Sequence, residues 1–179
     1  MNPQVEQITY STRGEELAWG LVLLAFTLVI HGFGMALTLH FTNGVKQRFG
    51  RAEHVMSGIA TLILGSWMIV AVHIAEIAMW AGFFQWKECF ANWSTAVYFT
   101  GLEYTTVGSS LNLPKHWRLL EIMVASAGLM GFAWSTGVLM TLAQDFQNEQ
   151  LRFLGALRVG GRRKPDPTPP QPLQSGKGE

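Results

Sequence analysis

Two groups of residues in this chain carry candidate chemistry. His31, His73 and Glu76 are ionisable side chains set inside otherwise apolar stretches. Imidazole and carboxylate groups in such surroundings need partners, and together they can serve as a proton sensor or a metal site. Glu76 lies one turn beyond His73, so the two can satisfy each other at i, i+3. The plainer reading is therefore a hydrogen-bonded set between the first two apolar stretches. The second group is Thr105-Thr106-Val107-Gly108-Ser109-Ser110, small residues around a glycine. Its chemistry is that of the backbone. Irregular main chain at membrane depth is tolerated where protein buries it or where it lines a watery cavity, with carbonyls free to face ions. Periodicity alone would make the run a Gly/Ser loop capping the helix that follows.

The elements that must position these residues follow from composition and hydropathy. The 179 residues are 49% hydrophobic and 14% charged, with seven Trp and eleven Phe. Soluble domains carry roughly 25% charged residues, so lipid is the expected solvent. Residues 17–42 contain no Asp, Glu, Lys or Arg, and at about 1.5 Å per residue they exceed the roughly 30 Å hydrocarbon core. Residues 55–86 are apolar apart from His73 and Glu76, and residues 122–144 again lack formal charge. Gly128, Gly131 and Gly137 in the third segment allow close helix packing, and Gly128 and Gly131 are equally candidates for a gating hinge. The predicted fold is an all-α integral membrane protein with three transmembrane helices. The first apolar run follows Glu6, Glu15 and Glu16 and is too long for a cleaved signal.

Several classes are excluded by the same inventory. A net charge of +1 gives no basic field for nucleic acid. Cys89 is the single cysteine, which removes an intrachain disulfide and any cysteine-based zinc site. The first segment has no arginine ladder, so it is no voltage sensor. The stretch after Asp145 is too short for a folded ligand-binding domain.

Orientation is predicted from the basic residues. Nine of the thirteen Lys and Arg lie in the loop between the first two spans (Lys46, Arg48, Arg51) and in the C-terminal segment (Arg152, Arg158, Arg162, Arg163, Lys164, Lys177). Both are expected on the cytoplasmic side of the inner (plasma) membrane, with the N-terminus outside. The division is then residues 1–16 as outer N-terminus, 17–42 as the first span, 43–56 as a cytoplasmic loop, 57–145 as the central unit and 146–179 as a Pro-rich, largely disordered cytoplasmic tail. The basic start of that tail is expected to contact anionic lipid. Tryptophans 19, 67, 80, 86, 93 and 117 include expected interfacial belt residues, and Trp134 is expected to be buried.

Residues 87–118 are too long for a tight turn and too apolar for an exposed loop. Residues 91–104 read as a short helix with Asn92 or Ser94 as N-cap. The small-residue run follows, and Pro114 and Trp117 lead into the third span. A short helix followed by an extended small-residue stretch predicts a re-entrant loop. Glu103 would sit either behind that stretch or on a loop surface.

Tyr98-Phe99-Thr100-Gly101-Leu102-Glu103-Tyr104-Thr105-Thr106-Val107-Gly108 resembles the pore helix and filter of the two-helix potassium-channel pore-domain family. The family filter reads Thr-Val-Gly-Tyr-Gly-Asp, and Thr106, Val107 and Gly108 match its first three positions. Pro114 and Trp117 fall close to its Pro and aromatic before the inner helix. The resemblance spans about residues 57–144 and implies a homotetramer around one pore, with an extra N-terminal span packed outside. It implies passive conduction of potassium, and of sodium where selectivity is weak, through Thr105, Thr106, Val107, Gly108, Ser109 and Ser110. No enzyme activity and no cofactor beyond the permeating cations are implied. Ser109, Ser110 and Leu111 stand where the family has Tyr, Gly and Asp, so the filter is degenerate. Weakened potassium selectivity, a wider outer mouth or loss of conduction is expected.

Two other classes compete with the channel. One is a cytochrome b-type anchor in which His31 and His73 ligate a haem. The other is a non-conducting membrane interaction subunit with a pore-like fold.

Overall fold

The structure is a computed structural model that describes residues 13–48 and 54–162. It is all-helical over those residues: α1 (Gly14–Arg48), α2 (His54–Trp86), α3 (Trp93–Tyr104), a single 3-10 turn (Lys115–Trp117) and α4 (Leu119–Arg162). Three helices are long and apolar enough to cross a membrane, over Gly14–Gln47, Gly58–Trp86 and Lys115–Arg152. This is a multi-pass membrane protein. None of the long helices contains a proline, and Pro114 sits just ahead of α4, where a missing N–H costs nothing. Several hydroxyls inside the spans are satisfied by their own helix. Thr27, Thr38 and Ser66 bond the carbonyls of Leu23, Gly34 and Leu62 at 2.8 to 2.9 Å, which removes the cost of a bare hydroxyl in lipid.

Every span is longer than its apolar segment. α1 runs to Arg48 and α4 runs to Arg162, so the helix continues seventeen residues beyond Asp145 into the stretch expected to be disordered. Residues 146–162 hold Glu, Gln, Leu, Ala and Arg with no proline, and good helix formers extend an existing helix without a new nucleation cost. Residues 1–12, the loop at 49–53 and the Pro-rich residues 163–179 lie outside the described residues.

The bundle has three layers along its axis. At the end where α2 finishes and α4 begins, Trp80, Phe83, Phe84, Phe99, Tyr104, Trp117, Leu120 and Val124 form an aromatic core. At the other end Met35, Ile69, Val138 and Leu142 form a smaller aliphatic one. Polar residues sit between the two. Ion pairs close both ends, Lys87 with Glu15 at 3.9 Å and Lys46 with Asp145 at 2.9 Å. Lys87 also lies over the rings of Trp19 at 5.0 Å, Trp86 at 4.4 Å and Trp117 at 5.3 Å. α1 caps α4: the buried Glu16 carboxylate accepts the N–H of Leu119, one of the orphan donors at that helix start.

The tryptophan reading needs correction. Trp80 is buried, with its indole N–H on Thr27 Oγ1 at 2.9 Å, and Trp117 is buried in the aromatic core. Trp134 is 48% exposed. One face of its ring covers Gly32 and His31. Position along a helix says how deep a residue lies, and the packing face then decides whether it is covered.

Candidate functional site

α3 is placed by caps at both ends. Asn92 is extended (φ −141°, ψ 155°), and its side chain accepts the Thr95 N–H at 2.9 Å, the N-cap role expected of it. At the C-terminus the N–H of Thr106 bonds the carbonyl of Glu103 at 2.9 Å, and that of Val107 bonds Leu102 at 3.0 Å. Thr106 has φ 60°. This is a Schellman cap with a threonine where glycine is usual. The small-residue run is therefore wound back onto α3 at its start instead of being extended from Thr105. The same cap ends α2, where Cys89 N–H bonds Phe84 O at 2.9 Å and Glu88 has φ 57°.

Gly108 follows with φ 79°, a left-handed conformation that a side chain disfavours. Glu103 reaches forward to accept the Ser109 N–H at 2.9 Å, so its carboxylate does lie against the small-residue run. Burial raises the Glu103 pKa, and the Ser109 N–H offsets part of that shift. Glu121 accepts the N–H of Leu113 at 2.7 Å, anchoring the run's return to α4. Among the described residues, no hydrogen bond ends on the carbonyls of Thr106, Val107 or Gly108, and Val107 is 73% exposed. These acceptors are free for a partner outside this chain.

α3 is seated by glycine. A Cβ on Gly128 would overlap the carbonyl of Tyr104, and one on Gly131 would stand 2.9 Å from the Tyr104 hydroxyl and 3.2 Å from His73. Both glycines thus serve close packing of α4, which is unbroken there.

The intramembrane polar residues form a closed ring with two members that sequence reading missed. His31 Nδ1 is 2.9 Å from Glu76 Oε1. The Tyr104 hydroxyl donates to Glu76 Oε2 and lies 2.8 Å from His73 Nδ1. His73 Nε2 is 3.0 Å from Ser135 Oγ, which lies 3.3 Å from His31 Nε2. His73 and Glu76 are 3.7 Å apart within α2, so the i, i+3 contact exists but the shorter bonds are to other helices. Five contacts need five hydrogens. Ionised Glu76, two neutral histidines, Tyr104 and Ser135 supply four, so the ring closes with one additional proton, which also makes it electrically neutral.

The same distances bear on the haem reading. Both nitrogens of His73 and Nδ1 of His31 are engaged by protein side chains, and the two rings lie 5.3 Å apart between centroids. A haem held by two axial histidines places its macrocycle between the rings, and here Glu76 and Ser135 bridge the two rings directly. Tyr104 and Ser135 left one signal in the sequence: each carries a hydroxyl that must find a partner when buried.

Comparison of the chain with protein-family models, with curated proteins and with solved structures finds no match.

Proposed function

We propose that this chain is the pore-forming subunit of a passive monovalent cation channel of the inner (plasma) membrane, assembled as a homotetramer. In this reading α2, α3, the small-residue run and α4 of four copies surround one axis, and α1 packs outside. The run of three partnerless carbonyls at Thr106, Val107 and Gly108 carries the proposal, because shedding a cation's hydration shell requires several backbone oxygens converging on one path. One chain supplies a single such row, and rotational copies would supply the ring.

Two further observations support it. Tyr104 at the end of α3 meets Glu76, ten residues before the end of α2 at Trp86 and so about 15 Å back along its axis. This supports α3 as a re-entrant helix. Ile122, Leu129 and Met130 of α4 are exposed beside that segment. In the proposed tetramer neighbouring copies cover that face. The nine-to-four bias of basic residues supports an outside N-terminus, with the ends of α1 and α4 in the cytoplasm. The protein is then a transporter and not an enzyme.

The test is flux into proteoliposomes with potassium, sodium and a larger organic cation. Wild-type chain is expected to carry potassium and sodium with little preference. Gly108→Ala, which forces a Cβ into a left-handed conformation, is expected to abolish flux while the tetramer still forms. Wild-type protein that carries no cation removes the proposal and makes a non-conducting interaction subunit the better account.

A further inference from the structure

We infer that His31, His73, Glu76 and Tyr104 form a buried site for one divalent transition cation of the zinc class. The donor atoms converge from α1, α2 and α3. His31 Nδ1 is 2.9 Å from Glu76 Oε1. His73 Nδ1 is 3.7 Å from Glu76 Oε2 and 2.8 Å from the Tyr104 hydroxyl, which itself contacts Oε2. Each of the two imidazoles and the carboxylate offers a donor atom within 4.8 Å of the others, and all three residues are buried. A tetrahedral zinc ion with bonds of about 2.0 to 2.1 Å holds its donors about 3.3 Å apart. The separations of 2.8, 2.9 and 3.7 Å straddle that edge length, so side-chain adjustment closes the set on an ion.

Ser135 supplies the outer support. Its oxygen lies 3.0 Å from His73 Nε2 and 3.3 Å from His31 Nε2, and Met35 Sδ, 4.0 Å away, can take its hydroxyl hydrogen when both rings donate to it. One oxygen with two lone pairs can accept an N–H from both rings. With an ion bound, both histidines are then Nε2–H tautomers and both Nδ1 lone pairs face the ion. A ligating histidine characteristically donates its other N–H in this way. Two imidazoles with carboxylate and phenol oxygens suit zinc-class ions better than magnesium or calcium, which take oxygen donors.

The charges balance. The closed ring holds five hydrogens and is neutral. A divalent ion with ionised Glu76 and a Tyr104 phenolate is also neutral, and three hydrogens then remain, on the two Nε2 atoms and Ser135. Binding therefore releases two protons per ion, and neutrality is favoured where lipid surrounds the bundle. The ion would clamp α1 and α2 to Tyr104, the residue before the small-residue run. The site does not depend on conduction.

Cobalt(II) titrated alone into the purified full chain in detergent tests this. One ion per chain is expected, with the absorption of four-coordinate cobalt, a tyrosinate ultraviolet difference band and release of two protons measured by calorimetry in two buffers. Zinc should displace it. His73→Gln should abolish binding, and Ser135→Ala should weaken it roughly 10- to 100-fold. Tyr104→Phe should lose the tyrosinate band and release one proton instead of two. His116→Ala, exposed and outside the cluster, should bind as wild type. Wild-type chain that takes up no cobalt overturns the site whether or not the variants fold. Cobalt retained in His73→Gln, or lost in His116→Ala, overturns it as well.

Discussion

Tyr104, the last residue of α3, donates its hydroxyl hydrogen to Glu76 in the middle of α2. That bond joins the small-residue run to the buried polar ring, because the run begins at the next residue and its first N–H groups are tied back to α3.

Removing the hydroxyl should therefore be felt in two places. Tyr104→Phe strands Glu76 and His73, and a buried unsatisfied group costs about 1–3 kcal/mol. Thermal unfolding in detergent should show that loss, and amide exchange at Thr106, Val107 and Gly108 should accelerate. Unchanged exchange would mean the ring does not hold the run in place.

Gly128 and Gly137 lie on one helix and should respond oppositely to alanine. At Gly128 the Cβ overlaps the backbone carbonyl of Tyr104, which cannot rotate away, so a loss of about 1–3 kcal/mol is expected. At Gly137 nothing lies within 4 Å, and alanine's helix propensity should add up to about 1 kcal/mol. The midpoints of the two variants, measured in one detergent, decide the matter. Equal shifts would remove the packing account of Gly128.

Cys89 reports on both pH and topology. Burial pushes its thiol from 9.0 up to about 11, with Lys87 offsetting part of the shift. At pH 8 the thiolate fraction is then about a hundredfold below that of a free thiol. The more basic thiolate is the stronger nucleophile, which leaves alkylation roughly tenfold slow. The rate should climb through pH 10 instead of levelling near 9. The folded chain holds this proton where the unfolded chain has released it, so the group's stabilising contribution is full below pH 9 and falls away toward 11. With an outside N-terminus, an impermeant reagent should reach Cys89 from outside. Labelling from the cytoplasmic face alone would invert the topology and remove the proposed pore with it.

Ser109 and Ser110 set the expected selectivity. Ser109→Tyr with Ser110→Gly restores a bulky side chain behind the run and a second flexible backbone position. Potassium flux over sodium flux should rise above the wild-type ratio in the same liposome assay. A ratio that stays constant would show that these two positions do not shape the permeation path.

The sequence alone determined the three spans and their order. Lipid offers no hydrogen bonds, so a spanning helix must announce itself as a long stretch without formal charge, and residues 17–42, 55–86 and 122–144 do so. It also marked His31, His73 and Glu76 as needing partners, and Asn92 as a helix start, since these follow from residue type and local spacing. Only the tertiary structure decided who the partners are. Glu76 turns to His31 and Tyr104, and Ser135 joins both histidines, because those contacts depend on which faces of four helices meet. In a nearly uniformly apolar helix, hydrophobic periodicity does not distinguish the face toward protein from the face toward lipid. Packing shows them instead: Gly128 lies against the Tyr104 carbonyl, Trp80 is covered with its N–H on Thr27 of α1, and Trp134 stays half exposed.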